Sequence, residues 1–254
     1  MSQAHTVLLA AIAGVFLSVP SIAQTDPAQT SAAPPPSLTT GSVSFGLALT
    51  GGNTDTSNLN FAVELTRDPK TRNVIKFKGL YLRGDEDDDL TVNRTLANLR
   101  DEYTLSGRAF LFGQLDYLKD EFKDISYLLA PTAGIGYKFI NTDRTLFLVD
   151  GGAGGLWEKN SYVPVRSSGS VTAGQRFSSK VSPTVTLTQS LGSLFKMDDF
   201  GDSLLTFAAG VSTSLGGALE LKVEFLDTYK NRPAQLGIEK NDTAFVTALV
   251  VKFE

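Results

Sequence analysis

Leu219-Glu220-Leu221-Lys222-Val223-Glu224-Phe225 alternates apolar and charged residues without a break. A strand sends successive side chains to opposite faces, so Leu219, Leu221, Val223 and Phe225 share one face and Glu220, Lys222 and Glu224 the other. One face must lie in an apolar medium and the other in a wet one. A sheet that separates the two is the element from which the fold has to be built.

The same period of two extends outward from this stretch. In the last segment Phe245, Leu249, Val251 and Phe253 share a face with Thr247, opposite Ala244, Val246, Ala248, Val250 and Lys252. Ile75, Phe77 and Tyr81 oppose Lys76 and Lys78; Leu99, Tyr103 and Leu105 oppose Arg94, Asn98, Arg100 and Glu102. Turn residues between such segments predict about twelve strands, near 41–50, 56–67, 72–83, 91–105, 108–120, 127–140, 144–157, 165–178, 182–193, 203–214, 217–229 and 242–253. This leaves about 18 residues per strand and connection, of which a tilted membrane strand takes about 9–11.

The connections fall into two classes. Short ones are Asp68-Pro69-Lys70-Thr71, Ser106-Gly107, Asn141-Thr142-Asp143, Ser179-Lys180-Val181 and Leu215-Gly216-Gly217. Longer, more polar ones include Gly84 to Asp89, Glu121 to Ser126, Glu158 to Pro164, Lys196 to Asp202 and Lys230 to Asn241, with Gly51 to Asp55 a tight exception on the long side. Outer-membrane barrels show this asymmetry, with short periplasmic turns and longer outer loops. A Lys or Arg facing lipid near the midplane costs about 2–4 kcal/mol, so the row Glu220-Lys222-Glu224 belongs in an aqueous lumen. Closure leaves no unpaired strand edge in hydrocarbon. The expected fold is therefore all-β: a closed antiparallel up-and-down transmembrane β-barrel of about 12 strands. The competing fold is a soluble β-sandwich or periplasmic barrel with Leu219, Leu221, Val223 and Phe225 as its core.

The N-terminus reads as an export signal. Val7 to Val19 is apolar but too short to span a bilayer, Pro20 breaks it, and Ser21-Ile22-Ala23 forms a small-x-small cleavage site, although the leader carries no Lys or Arg. Gln24 to Thr40, with three prolines at Pro34 to Pro36, has the composition of a disordered spacer. The expected organisation is a signal peptide over 1–23, a Pro/Ala-rich linker over 24–40 and a barrel over 41–254, in the bacterial outer membrane.

Composition narrows the chemistry. The 254 residues carry a formal charge of −4, with no basic surplus for nucleic acid. There is no cysteine, which removes disulfides, thiolate metal sites and cysteine nucleophiles. The single histidine, His5, lies in the segment expected to be removed. A histidine-activated serine or water is then excluded, leaving only a Ser–Lys or two-carboxylate site for an enzyme. Asp101 and Glu102 are adjacent on a strand and face opposite sides, so they cannot pair. No catalytic residue, metal ligand or cofactor is assigned.

The order of several short motifs resembles a known family. Gly51-Gly52-Asn53-Thr54 follows the first strand, then Asp101-Glu102-Tyr103-Thr104-Leu105, Arg108-Ala109-Phe110-Leu111-Phe112-Gly113 and Tyr117-x-x-Asp120-Glu121-Phe122. Gly134-Ile135-Gly136-Tyr137, Asn231-Arg232-Pro233 and Asn241-Asp242-Thr243 complete the series. In this order, from about Gly41 to Phe253, they resemble the salt-induced outer-membrane protein family, domain of unknown function 481. The resemblance implies an outer-membrane barrel without a defined activity. The C-terminal strand also resembles the signal read by the barrel-assembly machinery: Leu249, Val251 and Phe253 keep its rhythm, although Glu254 follows the terminal aromatic.

Lumen-facing candidates are Lys76, Lys78, Arg94, Arg100, Glu102, Gln114, Asp116, Glu220, Lys222 and Glu224. They would either line a narrow selective channel or form cross-strand ion pairs that fill a closed barrel. The acidic run Asp85 to Asp89 is expected as a solvated loop, since it lacks the ligand spacing of a calcium loop. Trp157, Tyr103, Tyr117, Tyr137, Tyr162 and Tyr229 fall near strand ends, as interfacial girdles do. The expected partners are outer-membrane lipid and lipopolysaccharide, with no nucleic acid; the oligomeric state is not encoded legibly. The function expected is a non-enzymatic outer-membrane barrel, either a narrow solute or ion pore or an envelope protein of salt or osmotic stress. The alternatives are a soluble periplasmic β-protein binding a lipid or small ligand, and a histidine-free barrel hydrolase.

Overall fold

The computed structural model describes residues 38–253, apart from 52–55, 87–88, 122, 162 and 234–236. The export signal over 1–23, nearly all of the linker, the Gly52-Asn53-Thr54 part of the first motif, Tyr162 and Glu254 lie outside the described residues.

Twelve strands follow in order: β1 (Thr39–Gly51), β2 (Thr56–Arg67), β3 (Asn73–Glu86), β4 (Asp89–Thr104), β5 (Ala109–Asp120) and β6 (Ile125–Asn141), then β7 (Thr145–Asn160), β8 (Arg166–Lys180), β9 (Val185–Lys196), β10 (Ser203–Gly216), β11 (Leu219–Lys230) and β12 (Asn241–Phe253). Each pairs antiparallel with the next, and β1 pairs with β12 from Gly41↔Phe253 to Gly51↔Thr243, which closes the barrel. No sheet edge is left to hydrogen-bond in a medium without water. No helix occurs among the described residues.

The strand bounds shift from expectation by up to three residues, and two of the shifts have a local physical reason. β9 begins at Val185, three residues later than 182, because Pro183 has no N–H for the ladder and the Ser182 hydroxyl accepts the Val185 N–H at 3.0 Å, holding 181–184 as the turn. The acidic run is mostly ladder: Asp85 pairs with Leu90 and Glu86 with Asp89 after an irregularity at Gly84/Asp85. Backbone pairing does not depend on apolar side chains, so this hairpin continues where the alternating pattern has stopped. Asp87 and Asp88 lie outside the described residues.

The short connections set one end of the barrel, here the turn end. Gly216 and Gly217 have φ of 119° and 57°, a conformation that side chains with a Cβ resist. The longer connections set the other, the loop end.

The two faces have opposite chemistry. Leu47, Phe61, Ile75, Leu99, Ile135 and Phe245 are exposed on the outside, as are Leu221 and Val223 of the alternating stretch. A soluble protein would bury such a belt; here it is the surface that meets lipid. The soluble sandwich is thereby overturned, since its proposed core residues lie on the outer wall. Outward Tyr117, Trp157 and Tyr229 lie near the loop end, with Tyr103 and Tyr137 towards the turn end, giving two interfacial belts.

The interior is filled mainly towards the loop end. Leu118, Ile125, Leu128, Leu156, Leu194 and Leu204 form one cluster, and Leu82 and Val92 pack with Ala244, Val246 and Ala248 of β12 in another. The second joins β3 and β4 to β12 over the intervening β1 and β2.

Candidate functional site in the barrel lumen

The inner face carries its polar groups in three sets. The largest is one continuous network. Lys76 donates to Glu102 Oε2 at 2.7 Å, and Arg100 Nε donates to Glu102 Oε1 at 2.8 Å. Arg100 also donates to Gln114 at 2.6 Å; Gln114 donates to Asp116 at 2.6 Å, and Asn98 to the other Asp116 oxygen at 2.7 Å. The network then crosses the lumen. Asp150 Oδ2 on β7 accepts from Arg100 at 2.8 Å and from Arg176 on β8 at 2.7 Å, and Arg176 reaches back to Glu102 on β4 at 3.5 Å. Strands β5, β6 and β7 separate β4 from β8 in the wall, so this last contact spans the bore.

Packing holds Arg100 in place. Its guanidinium lies 3.8 Å over the centre of the Phe112 ring, where the ring's negative face attracts it. Phe110 and Phe112 lie against a wall of glycines: a Cβ on Gly136 would sit 2.1 Å from the Phe110 ring, and one on Gly134 2.8 Å from the Phe112 ring. The glycines of β6 therefore make room for the two rings that carry the arginine.

The loop-end set consists of two buried ion clusters. In the first, Arg94 donates to Asp120 at 2.6 Å and to Asp242 at 3.0 Å, while Lys123, fully buried in the β5–β6 connection, lies 2.9 Å from Asp242. In the second, Glu158 and Asp202 share Lys196 and Lys230: Lys230 is 3.2 Å from Glu158 and 2.9 Å from Asp202, and Lys196 contacts both carboxylates. Burial pushes the Asp202 carboxyl up, but Lys230 and Lys196 more than offset it and hold it below the ordinary carboxylate value. These clusters tie β4 and the β5–β6 connection to β12, and β7 to β11.

The remaining inward pairs, also in the turn-end half of their strands, are open to water. Lys78 is 3.5 Å from Glu64 and Lys222 is 3.0 Å from Glu224, while Lys252 contacts Glu220. Small inward residues such as Ser44, Thr188, Ser190 and Ser212 line the adjoining strands β1, β9 and β10 at intermediate exposure.

The ten candidates therefore separate into three sets. Lys76, Arg100, Glu102, Gln114 and Asp116 join one network; Arg94 belongs to the loop-end clusters; Lys78, Glu220, Lys222 and Glu224 form separate solvated pairs. Sequence reasoning missed Asp150, Arg176, Glu158, Lys196, Lys230, Lys123, Asp120, Asp202 and Asp242. Asp150 was the most legible of them, a lone charge inside Leu148-Val149-Asp150-Gly151-Gly152. Asp101 is exposed on the outer face and Glu102 buried on the inner, so the two carboxylates are separated by the wall. Among the described residues, no group of three His, Asp or Glu side chains is placed to hold a metal ion.

A family model described as "Protein of unknown function, DUF481" matches residues 43–253. No curated protein matches the chain. Among solved structures, the NanC porin superposes with a TM-score of 0.56 at 8% identity, covering 83% of this chain and 100% of that one. An outer membrane channel from Pseudomonas putida F1 superposes with a TM-score of 0.51 at 14% identity, covering 91% of this chain and 100% of that one. At these identities the likeness is one of fold: a porin-like outer-membrane barrel.

Proposed function

Because the chain belongs to the DUF481 family, whose description assigns no activity, we propose a function from the lumen itself: a narrow, gated, non-enzymatic pore for small solutes in the bacterial outer membrane. The observation that carries this reading is the contrast along the bore. Towards the turn end the inward side chains are solvated, forming a vestibule; towards the loop end Lys123, Ile125 and Glu158 are sealed, so passage requires that end to open. A purely structural barrel has no need of a wet vestibule lined by charge. The porin-like fold supports the same reading.

Each seal combines a non-covalent apolar cluster with buried ion pairs. Ion-pair clusters have two discrete arrangements, made and broken, which is what a gate needs. Conductance of the refolded protein in a planar bilayer tests the proposal. Rare, small steps are expected for the wild type, and more frequent or larger ones for Lys123→Ala. Silence from both overturns the pore and leaves the second reading, an envelope structural protein of salt or osmotic stress, which the sealed loop end favours. Retention in the membrane fraction until detergent is added tests the location.

A further inference from the structure

We propose that the turn-end vestibule selects small oxyanions, carboxylate or phosphate, and that Arg176 and Lys76 are the groups that hold them. This inference rests on the channel reading for its biological use, but not for its chemistry.

The two members of these ion pairs do not face the water equally. In the continuous network the side-chain exposure is 32% for Arg176 and 28% for Lys76, against 5% for Glu102 and 7% for Asp150. Arg100 is buried with the carboxylates, so Arg176 and Lys76 are the charges of these pairs that reach water. In the solvated pairs Lys78 is 62%, Lys252 53% and Lys222 27% exposed, against 16% for Glu220 and 19% for Glu224. Glu64 is the exception at 47%, and it is paired with Lys78. Formal charges nearly cancel, but the solvated surface is cationic, and a low-dielectric wall focuses that field into the bore.

Hydrogen-bond capacity points the same way. Arg176 spends one nitrogen on Glu102 and one on Asp150, which leaves most of the donors of its guanidinium fork uncommitted. Lys76 makes one hydrogen bond, to Glu102. The planar fork of arginine matches two oxygens of a carboxylate or phosphate, and a nearby ammonium adds a third donor. Lys138, on the inner face beside Phe110, and Lys180, near the turn-end rim, extend the cationic surface outward. Across the β8–β9 ladder, directly opposite Arg176, stands Ser190, a small residue that leaves space in front of the fork.

The chain has no cysteine, which makes a clean test available. In the full-length protein, folded in detergent micelles, Ser190→Cys places one thiol beside Arg176. Its modification rates with a sulfonate-bearing and a trimethylammonium-bearing methanethiosulfonate are measured, each divided by the rate with a free thiol. The anionic reagent is expected to be favoured roughly tenfold, less so at high salt. Adding Arg176→Gln and Lys76→Gln should abolish the preference, and millimolar inorganic phosphate should slow only the anionic reagent. Equal rates, or a cationic preference, in the Ser190→Cys protein alone would overturn the inference whether or not the charge variants fold. Because labelling needs only access from the vestibule, a protein that labels selectively but never conducts sinks the pore and spares the anion site. A protein that conducts but shows no charge preference does the reverse.

Discussion

The Lys123 ammonium, on the connection between β5 and β6, lies 2.9 Å from the Asp242 carboxylate of β12, which stands five strands away around the wall. The lysine also donates to the Lys240 carbonyl at 3.2 Å, and its own backbone N–H donates to Asp120. A connection that could have remained outside is thus drawn over the bore and fixed there. Removing one partner of a buried pair leaves the other charge stranded, at a cost of about 3–5 kcal/mol, moderated here because Arg94 also serves Asp242. Lys123→Met should therefore lower the unfolding midpoint in urea, and Lys123→Met with Asp242→Asn should lose less than the two single losses added. Additive losses would show that the strut does not exist in the membrane.

The Phe110 ring and Gly136 make a second coupled pair. Gly136→Ala places a methyl group where the ring now lies, an overpacking that typically costs about 1–3 kcal/mol. Phe110→Leu together with Gly136→Ala should recover part of that loss. Equilibrium unfolding in detergent–urea mixtures measures both, and an innocuous Gly136→Ala contradicts the packing.

Acid should weaken the loop-end seal. The Asp202 carboxyl is held below its ordinary value in the folded state, so the stability it contributes is present above the unfolded value of about 4 and is lost as pH falls through the folded value. Asp202→Asn should flatten the stability profile on the acid side and leave its shape near neutrality unchanged. An unaltered acid limb would remove Asp202 from the account.

Lipid contact predicts an asymmetry between the two faces of the wall. Val223→Lys puts a charge on the outer wall, where a cation at mid-depth costs about 2–4 kcal/mol. Thr188→Lys puts the same charge on the inner wall, where water reaches it. The first variant should fold poorly into lipid vesicles and the second nearly as well as the wild type, read as the fraction resistant to external protease. Equal yields would place the two residues in the same medium.

Much of the fold was legible because period two is a local property. The alternation of Leu219 to Phe225 assigns each side chain to a face without reference to any other strand, and turn residues such as Gly216-Gly217 mark where the chain reverses. The inner-face positions of Arg100 and Glu102 follow from the same rule applied to β4. The acidic run was misjudged because composition speaks for side chains, and the β3–β4 ladder continues on backbone hydrogen bonds alone.

The sequence by itself determined which residues share a face, while its two classes of connection favoured a closed barrel over a soluble sandwich. Which inward residues meet was decided only by the tertiary structure. Arg176 and Glu102 are 74 positions apart and on strands that never pair, and they touch because closure curves the sheet until its walls approach. The sealed loop end and wet turn end arise in the same way. Face is fixed by the pleat of a single strand, whereas contact across the bore depends on the curvature and stagger of the whole sheet, which no local pattern encodes.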